Sequence, residues 1–276
     1  MTKNLDADGL NSIVSNYDIL YIDLWGVVHN GIKLHEGAIG VLSKLSELKK
    51  NYVLLTNAPR PNETVKKFLE KLGMNSQQRD HVYTSGQAAL KYLRKNFLNN
   101  FFYHIGPKRD FDLFEDFKEN KKNEINNSDY FICTGMFEDD NEKKNEDLNF
   151  YKKILEKHVD KHMICTNPDL IVDKGDKREL CAGSIALIFE KMGGSVTYFG
   201  KPYPEVYSQA IDYKEKKILC IGDNLNTDIK GANLLNFDSL IISDGIHKKE
   251  IEKSGIEKVS KMYESIPNYI QSKLTW

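Results

Sequence analysis

Short apolar runs of strand length alternate along this chain with segments whose apolar residues recur at helical spacing. Residues 217–221 form one such run, whereas the segment 37–50 carries apolar side chains three residues apart, as at Ile39 and Leu42. Parallel strands need long crossover connections, which helices usually supply. The alternation therefore predicts an α/β fold in which helices cover a parallel sheet.

The predicted elements fall into an outer and a middle part of the chain. In the outer part, strands are predicted at 17–23, 52–55, 195–199, 217–221 and 239–242, with helices at 37–50 and 62–72. In the middle part, strands are predicted at 101–105, 130–133 and 163–165, with helices at 87–96, 148–158 and 180–192. We interpret residues 1–77 and 199–276 as a discontinuous core, and residues 78–198 as an inserted α/β cap. We also expect the strands that end at Thr56 and Phe199 to lie in one sheet.

The composition excludes several classes of function. Hydrophobic residues make up 40% of the chain, charged residues 29%, and the net charge is −1, so no strong field would attract nucleic acid or an anionic membrane. No apolar run is long enough to span a membrane, and residues 1–16 do not resemble a signal peptide. The cysteines are widely spaced and are expected to be buried, reduced thiols, which suits a cytoplasmic location.

Chemically useful side chains follow several of the predicted strands, namely Asp23, Thr56, Lys201, Asp223 and Asp228. Ligands of open α/β sheets bind outside the carboxyl ends of the strands, so we expect these side chains to meet. A carboxylate can act as a covalent nucleophile, while a hydroxyl and an ammonium group can hold phosphoryl oxygens. Further carboxylates can hold Mg²⁺, which prefers oxygen ligands. These residue types favour phosphoryl transfer.

Four segments that contain these residues resemble motifs of the haloacid dehalogenase (HAD) superfamily. They are Asp23-Leu24-Trp25-Gly26-Val27-Val28, Leu54-Leu55-Thr56-Asn57, Gly200-Lys201-Pro202 and Gly222-Asp223-Asn224-Leu225-Asn226-Thr227-Asp228-Ile229. The chain is most similar to the class IIA branch, which inserts a large α/β cap between its second and third motifs. The segments 166–169 and 182–185 also resemble class IIA cap segments. The resemblance implies a Rossmann-like core with a parallel sheet and an inserted α/β cap.

The resemblance also implies roles for individual residues in a phosphatase. Asp23 would be the nucleophile, Thr56 and Lys201 would hold the phosphate, and Asn57 would add an amide donor. The implied Mg²⁺ ligands are Asp23, the main-chain carbonyl of Trp25, Asp223 and Asp228. The expected partner is a small phosphorylated molecule rather than nucleic acid or a membrane, and the family resemblance allows a homodimer.

Trp25 departs from the family pattern. Phosphatases of this family usually have a second Asp at this position, which protonates the leaving oxygen and later activates water. Such general acid–base help is typically worth about 10²–10⁴ in rate. An indole N–H is only a hydrogen-bond donor and cannot replace it. We expect the Trp25 side chain to point toward the space between core and cap.

Three interpretations remain open at this stage. The first is a Mg²⁺-dependent phosphohydrolase or phosphotransferase that works without this acid. The second is a regulatory protein that binds phosphate and metal but turns over little. The third is a dehalogenase-like enzyme, because haloacid dehalogenases carry an aromatic residue at this offset; the retained Asp223 and Asp228 argue against it. His29 could replace the missing acid, although a structural histidine is the simpler interpretation.

Overall fold

The computed structural model describes residues 2–139, 141, 143–174 and 177–276. Met1 of the predicted core, and positions 140, 142, 175 and 176 of the predicted cap, lie outside the described residues. The strands, in chain order, are β1 (Lys3–Asn4), β2 (Ile19–Ile22), β3 (Asn51–Thr56), β4 (Val82–Thr84), β5 (Phe102–Ile105), β6 (Lys121–Lys122), β7 (Tyr130–Cys133), β8 (His162–Cys165), β9 (Ile171–Lys174), β10 (Lys177–Leu180), β11 (Ser195–Tyr198), β12 (Ile218–Gly222), β13 (Asp238–Ile242) and β14 (Tyr269–Gln271).

The helices include one at each of the five segments where the sequence predicts a helix. They are α1 (Asn11–Val14), α2 (Glu36–Glu47), α3 (Asn62–Lys71), α4 (Ser76–Arg79), α5 (Ser85–Asn96), α6 (Leu148–Leu155), α7 (Ala182–Lys191), α8 (Pro204–Ala210), α9 (Lys230–Leu234), α10 (Lys248–Ser254) and α11 (Ile256–Met262). Short 3₁₀ helices occupy Lys108–Leu113, Glu115–Asn120, Ile125–Asn127 and Glu156–His158, and a π-helical turn occupies Leu225–Ile229. Within the described residues, we find no helix with the length and apolar character needed to cross a membrane.

Two parallel sheets organise the fold. The larger sheet has the strand order β1-β14-β13-β12-β2-β3-β4, and each neighbouring pair is parallel. The smaller sheet has the order β11-β8-β7-β5-β6, also with parallel pairs. A separate antiparallel hairpin, β9–β10, belongs to the chain segment between the two outer parts. The predicted α/β class, with a parallel core sheet and an inserted α/β cap, is confirmed.

Alternation along the central strand explains why both faces of the larger sheet are covered. Leu20 and Ile22 of β2 pack into one apolar cluster together with residues of α2 and α3. Ile19 and Tyr21 point to the opposite face and join a second cluster with residues of α5. This second cluster also contains Phe102 and other residues of the smaller sheet. Core and cap are therefore joined by continuous apolar packing on one face of the larger sheet.

Two expectations about the boundary between core and cap differ from the structure. The strand that leads to Phe199 is β11, which pairs with β8 in the smaller sheet. The prediction that it shares a sheet with the strand ending at Thr56 is wrong, because the chain returns to the core only after this strand. At the other boundary, β4 pairs with β3, so the larger sheet extends beyond residue 77. A three-residue strand is too short to show a periodic pattern in the sequence.

Candidate active site

Three carboxylates meet at the carboxyl edge of the larger sheet. Asp23 follows β2, Asp223 follows the neighbouring β12, and Asp228 lies in the π-helical turn that comes next. One oxygen of each carboxylate lies within 4.8 Å of the others, and all three residues are buried. The adjacency of β2 and β12 thus brings together residues that are 200 positions apart in the sequence, as 223 − 23 gives.

Lys201 joins this cluster from the segment that returns from the cap. Its Nζ donates hydrogen bonds to Asp23 Oδ1 at 2.5 Å and to Asp228 Oδ1 at 2.7 Å. These contacts link the ammonium group to two of the three carboxylates. The sequence prediction that strand-end groups would converge is met for Asp23, Lys201, Asp223 and Asp228.

The neighbouring strand β3 brings Thr56 and Asn57 to the same edge, and both are buried. The Thr56 hydroxyl accepts a hydrogen bond from the Ala58 amide at 3.3 Å. The Asn57 side chain accepts from Lys201 N at 2.7 Å and donates to Lys201 O at 3.0 Å. Its second amide hydrogen goes to Asp169 Oδ1 at 3.0 Å. In this arrangement the Asn57 amide bonds to the Lys201 main chain and to the cap, and the expected contact with phosphate stays a prediction.

Two glycines allow the backbone to approach these acids. Gly26 has φ +83°, and a Cβ on it would lie 2.1 Å from Asp223 Oδ2. A Cβ on Gly245 would lie 2.2 Å from the same oxygen. The adjacent Ile246 amide instead donates to Asp223 Oδ2 at 2.9 Å. Backbone groups on two loops therefore enclose the Asp223 carboxylate.

The charges in the cluster do not balance. Burial raises the pKa of Asp23 well above its ordinary value, even though Lys201 opposes the shift. Burial, reinforced by the charge of Asp228, raises the pKa of Asp223 to about 7. Burial disfavours the charge of Lys201, but Asp228 and Asp23 outweigh it and raise the pKa of the ammonium group. One cation among three carboxylates leaves excess negative charge, which a divalent cation would relieve.

The Trp25 side chain extends from the core to the cap. Its Nε1–H donates to the main-chain oxygen of Asp173, on strand β9, at 2.6 Å. Its ring meets the ring of His29 edge to face, with the centroids 5.1 Å apart. The indole therefore links the turn after β2 to the cap and uses its polar atom to bind the cap backbone.

His29 is placed as a structural residue. It is buried, its Nδ1 accepts a hydrogen bond from the Gly31 amide at 3.0 Å, and its ring lies between those of Trp25 and Phe68. Burial, and then the charge of His35, lower the pKa of His29 to about 4. A neutral imidazole with such a low pKa is a poor replacement for a carboxylic acid donor, so the simpler interpretation fits the structure.

Sequence reasoning missed several residues around the site. Asp169 comes from the cap, contacts Asn57, and has a pKa that burial raises to about 6. Its segment was recognised by family resemblance, but nothing in the sequence indicated this contact. The ion pair of Asp173 and Arg178 across the β9–β10 hairpin had no sequence signal, because the hairpin is polar and its register could not be inferred. The four cysteines are buried and free, as expected.

An open parallel sheet with a capped acidic site at its carboxyl edge defines an α/β protein of the capped-hydrolase type. A model of the haloacid dehalogenase-like hydrolases matches residues 20–118, and a model of HAD-like hydrolases matches residues 198–269. A solved haloacid dehalogenase-like family hydrolase from Brucella suis superposes on this chain with a TM-score of 0.81 and 28% sequence identity. The superposition covers 97% of this chain and 99% of that protein.

Two relatives are similar over nearly their whole length. A 5'-nucleotidase of Bacillus subtilis is 23% identical over 265 residues, which is 93% of this chain and 99% of that protein. A 4-nitrophenylphosphatase of Schizosaccharomyces pombe is 24% identical over 304 aligned positions, which cover 99% of this chain and 98% of that protein. The chain belongs to the haloacid dehalogenase-like hydrolases, in the class IIA branch.

Proposed function

We propose that the protein is a Mg²⁺-dependent phosphatase that acts on a small phosphorylated metabolite through an aspartyl-phosphate at Asp23. The observation that carries this proposal is the buried cluster of Asp23, Asp223 and Asp228 with the Lys201 ammonium group. The names of the relatives, a 5'-nucleotidase and a 4-nitrophenylphosphatase, support a phosphoric monoester as the substrate.

The residues present fit a divalent cation. They offer carboxylate oxygens within 4.8 Å of one another, and burial together with mutual repulsion makes the cluster unfavourable without a compensating charge. Asp23, Asp223, Asp228 and the main-chain carbonyl of Trp25 would hold Mg²⁺. When bound, the ion would supply positive charge to the phosphoryl oxygens as the reaction proceeds.

The reaction has two steps at phosphorus. In the first, a carboxylate oxygen of Asp23 forms a bond to phosphorus, and the bond from phosphorus to the leaving oxygen breaks with its electron pair on that oxygen. In the second, water attacks phosphorus and the bond to Asp23 breaks, which releases phosphate and restores the carboxylate. The Lys201 ammonium group and the Thr56 hydroxyl would stabilise the phosphoryl oxygens in both steps.

Trp25 limits which leaving groups this chain can expel well. No carboxyl group stands two residues after the nucleophile, and the indole N–H is already bonded to Asp173 O. A leaving oxygen that forms a stable anion without a proton, as in an aryl or acyl phosphate, avoids this limitation. We therefore propose that such phosphates are hydrolysed faster than alkyl phosphates.

A direct assay tests the proposal. The purified protein is incubated with p-nitrophenyl phosphate, acetyl phosphate and glycerol phosphate, with Mg²⁺ and with EDTA, and phosphate release is measured. We expect Mg²⁺-dependent release, fastest for the first two substrates. Equal rates for aryl and alkyl phosphates would contradict the role given to Trp25. Activity that EDTA does not reduce would contradict the proposed dependence on Mg²⁺.

A second function is favoured by the closure of the site and by the missing acid. A protein with the same pocket could bind phosphate and Mg²⁺ as a regulatory element with little turnover. Binding of inorganic phosphate and Mg²⁺ in calorimetry, with no hydrolysis of any of the three substrates, would support this function over the phosphatase.

A further inference from the structure

The β9–β10 hairpin of the cap is attached to the core at two points, each close to a residue of the acidic cluster. One attachment involves Trp25, which follows the nucleophile Asp23 by two positions. The other involves Arg178 of β10 and the loop that contacts Asp223. Both attachments end on main-chain carbonyls, at Asp173 and Ile246.

The first attachment is a short hydrogen bond, and the indole ring that donates it is packed against neighbouring residues. The Trp25 Nε1–H donates to Asp173 O at 2.6 Å, which is at the short end for an N–H···O hydrogen bond. The ring is held from one side by His29. A Cβ on Gly31 would lie 2.6 Å from the far edge of the indole, so the turn passes close to the ring. The indole is thus packed against its own turn, with its polar atom directed to the cap.

The second attachment shares a residue with the first. Arg178 and Asp173 are cross-strand partners in the hairpin, and their side chains form a bidentate ion pair with distances of 2.7 and 2.9 Å. Arg178 Nη2 also donates to Ile246 O at 2.9 Å. The Ile246 amide donates to Asp223 Oδ2. A continuous chain of hydrogen bonds therefore runs from Trp25 through the hairpin to a predicted metal ligand.

The acidic cluster is almost closed to solvent in this arrangement. The exposed fraction is 8% for Asp23, 7% for Asp223 and 4% for Lys201. A phosphorylated substrate has to reach these groups, so some covering element has to move and then return. The hairpin is a cap element that bonds to the core both at Trp25, two residues after Asp23, and at Ile246, whose amide contacts Asp223.

We propose that Trp25 and Arg178 are positioning residues that together fasten the β9–β10 hairpin over the acidic cluster, so that the residue standing in for the usual acid serves to close the cap. The predicted effect on turnover rests on the proposed phosphatase function, whereas the fastening itself does not. Removal of either donor should loosen the hairpin, and the two removals should not act independently, because both act on the same element.

Tryptophan fluorescence tests the fastening without any substrate. The chain contains two tryptophans, so Trp276→Phe leaves Trp25 as the only indole. In this background, Arg178→Gln should shift the Trp25 emission to longer wavelength and raise its quenching by acrylamide about twofold, because the hairpin opens locally more often. The matched control is Arg94→Gln, which removes an exposed arginine that pairs with Asp116 elsewhere on the protein. Arg94→Gln should leave both readings unchanged.

Hydrogen–deuterium exchange repeats the test without the Trp276→Phe substitution. Amides of the hairpin should exchange faster in Trp25→Phe and in Arg178→Gln than in wild type or Arg94→Gln. Arg178→Lys, which keeps the charge but not the bidentate geometry, should lie between wild type and Arg178→Gln. Unchanged fluorescence and unchanged exchange in Arg178→Gln would overturn the proposal.

A double-mutant cycle on kcat/KM for p-nitrophenyl phosphate tests the effect on turnover. We expect Trp25→Phe to lower kcat/KM about tenfold, because it removes one short hydrogen bond. We expect Arg178→Gln to lower kcat/KM about threefold, because it removes an ion pair that is bidentate but exposed. The double variant should lose about tenfold, rather than the roughly thirtyfold that independent effects would give. A full product of the two losses would show that the residues act separately and would overturn the proposal. If wild type shows no activity, the phosphatase function fails, and the fluorescence result still decides whether the hairpin is fastened.

Discussion

The carboxyl edge of the larger sheet and the β9–β10 hairpin contribute to the candidate site in opposite ways. At the sheet edge, the buried Lys201 ammonium group bonds directly to the buried carboxylates of Asp23 and Asp228. The hairpin contributes a main-chain carbonyl and a partly exposed ion pair. Removal of one buried charge leaves its partner uncompensated, whereas an exposed pair is worth little. Substitutions at the sheet edge should therefore abolish the reaction, whereas substitutions in the hairpin should change only its rate.

Removal of the proposed nucleophile should give the largest effect, and a small effect would contradict this comparison. We expect Asp23→Asn to lower the rate of p-nitrophenyl phosphate hydrolysis by about 10³-fold or more, because an amide oxygen cannot replace the attacking carboxylate. The control is Asp8→Asn, which changes an exposed carboxylate on the core. Substantial residual activity in Asp23→Asn, with the fold intact by circular dichroism, would exclude the aspartyl-phosphate.

The metal site should give the next effect. We expect Asp223→Asn to weaken Mg²⁺ binding about a hundredfold in calorimetric titration, because it removes one of the carboxylate oxygens that the cation would bind. Asp244→Asn is a matched control, since Asp244 lies on the nearby loop and pairs with Lys248 and Lys273. Equal Mg²⁺ affinity in Asp223→Asn and Asp244→Asn would show that the cluster does not hold the cation.

Acid sensitivity should reveal the packing that supports Trp25. Because the pKa of His29 is lowered to about 4 in the folded protein, the unfolded state binds a proton at a higher pH than the folded state does. His29 therefore makes folding stability fall as pH falls from about 6.5 toward 4, by about 2–3 kcal/mol between pH 7 and pH 4.5.

Urea unfolding at these two pH values checks this prediction. His29→Gln keeps a hydrogen-bond acceptor for Gly31 but cannot titrate, so its stability should differ less between the two conditions. His35→Gln, which changes a less buried neighbour, should keep most of the wild-type difference. If His29→Gln and wild type lose the same stability on acidification, His29 is not held neutral by its surroundings.

The smallest expected effect concerns substrate preference at position 25. Trp25→Asp restores a carboxyl group at the usual position but also removes the bond to Asp173, so absolute rates report two changes at once. The ratio of glycerol phosphate to p-nitrophenyl phosphate hydrolysis isolates the first, and we expect it to rise about fivefold, which is less than a well-placed acid provides. Trp25→Asn introduces a side chain of the same size as Asp but without an acidic group, so it should leave the ratio unchanged. Equal ratios in the two variants would show that the missing acid does not set the preference.

Periodicity in the sequence was sufficient for the long elements and insufficient for the short ones. The helix predicted at 62–72 is Asn62–Lys71, and the strand predicted at 217–221 is Ile218–Gly222. The strands β1 and β6 have two residues each, and no period can be recognised at that length. The hairpin β9–β10 is polar and mostly charged, so its pattern resembles that of a loop.

The residues of the candidate site could also be predicted only in part from the sequence. Strand-end positions explain why Asp23 and Asp223 meet, because parallel strands of one sheet deliver their carboxyl ends to one edge. Asp228 lies in the turn that follows β12. Lys201 also joins the cluster, but it follows β11 of the smaller sheet, so its place depends on how the chain returns from the cap to the core. The family resemblance predicts a phosphate contact for Asn57, and the structure adds that its amide also bonds to Lys201 and Asp169. Donors and acceptors on one side chain are limited in number, and only the folded arrangement decides which partners take them.

Residue types and their positions relative to the strands were enough to predict acidic side chains suited to a nucleophile and a metal site at the sheet edge, and the family resemblance predicts that Trp25 stands where an acid is usual. Those features are local, since they depend on residue type and on position relative to a strand. The tertiary structure decided what the tryptophan does. Its hydrogen-bond partner, Asp173, lies 148 positions further along the chain, in a polar hairpin that the sequence did not reveal. A contact of that range depends on how cap and core pack together, which no local pattern encodes.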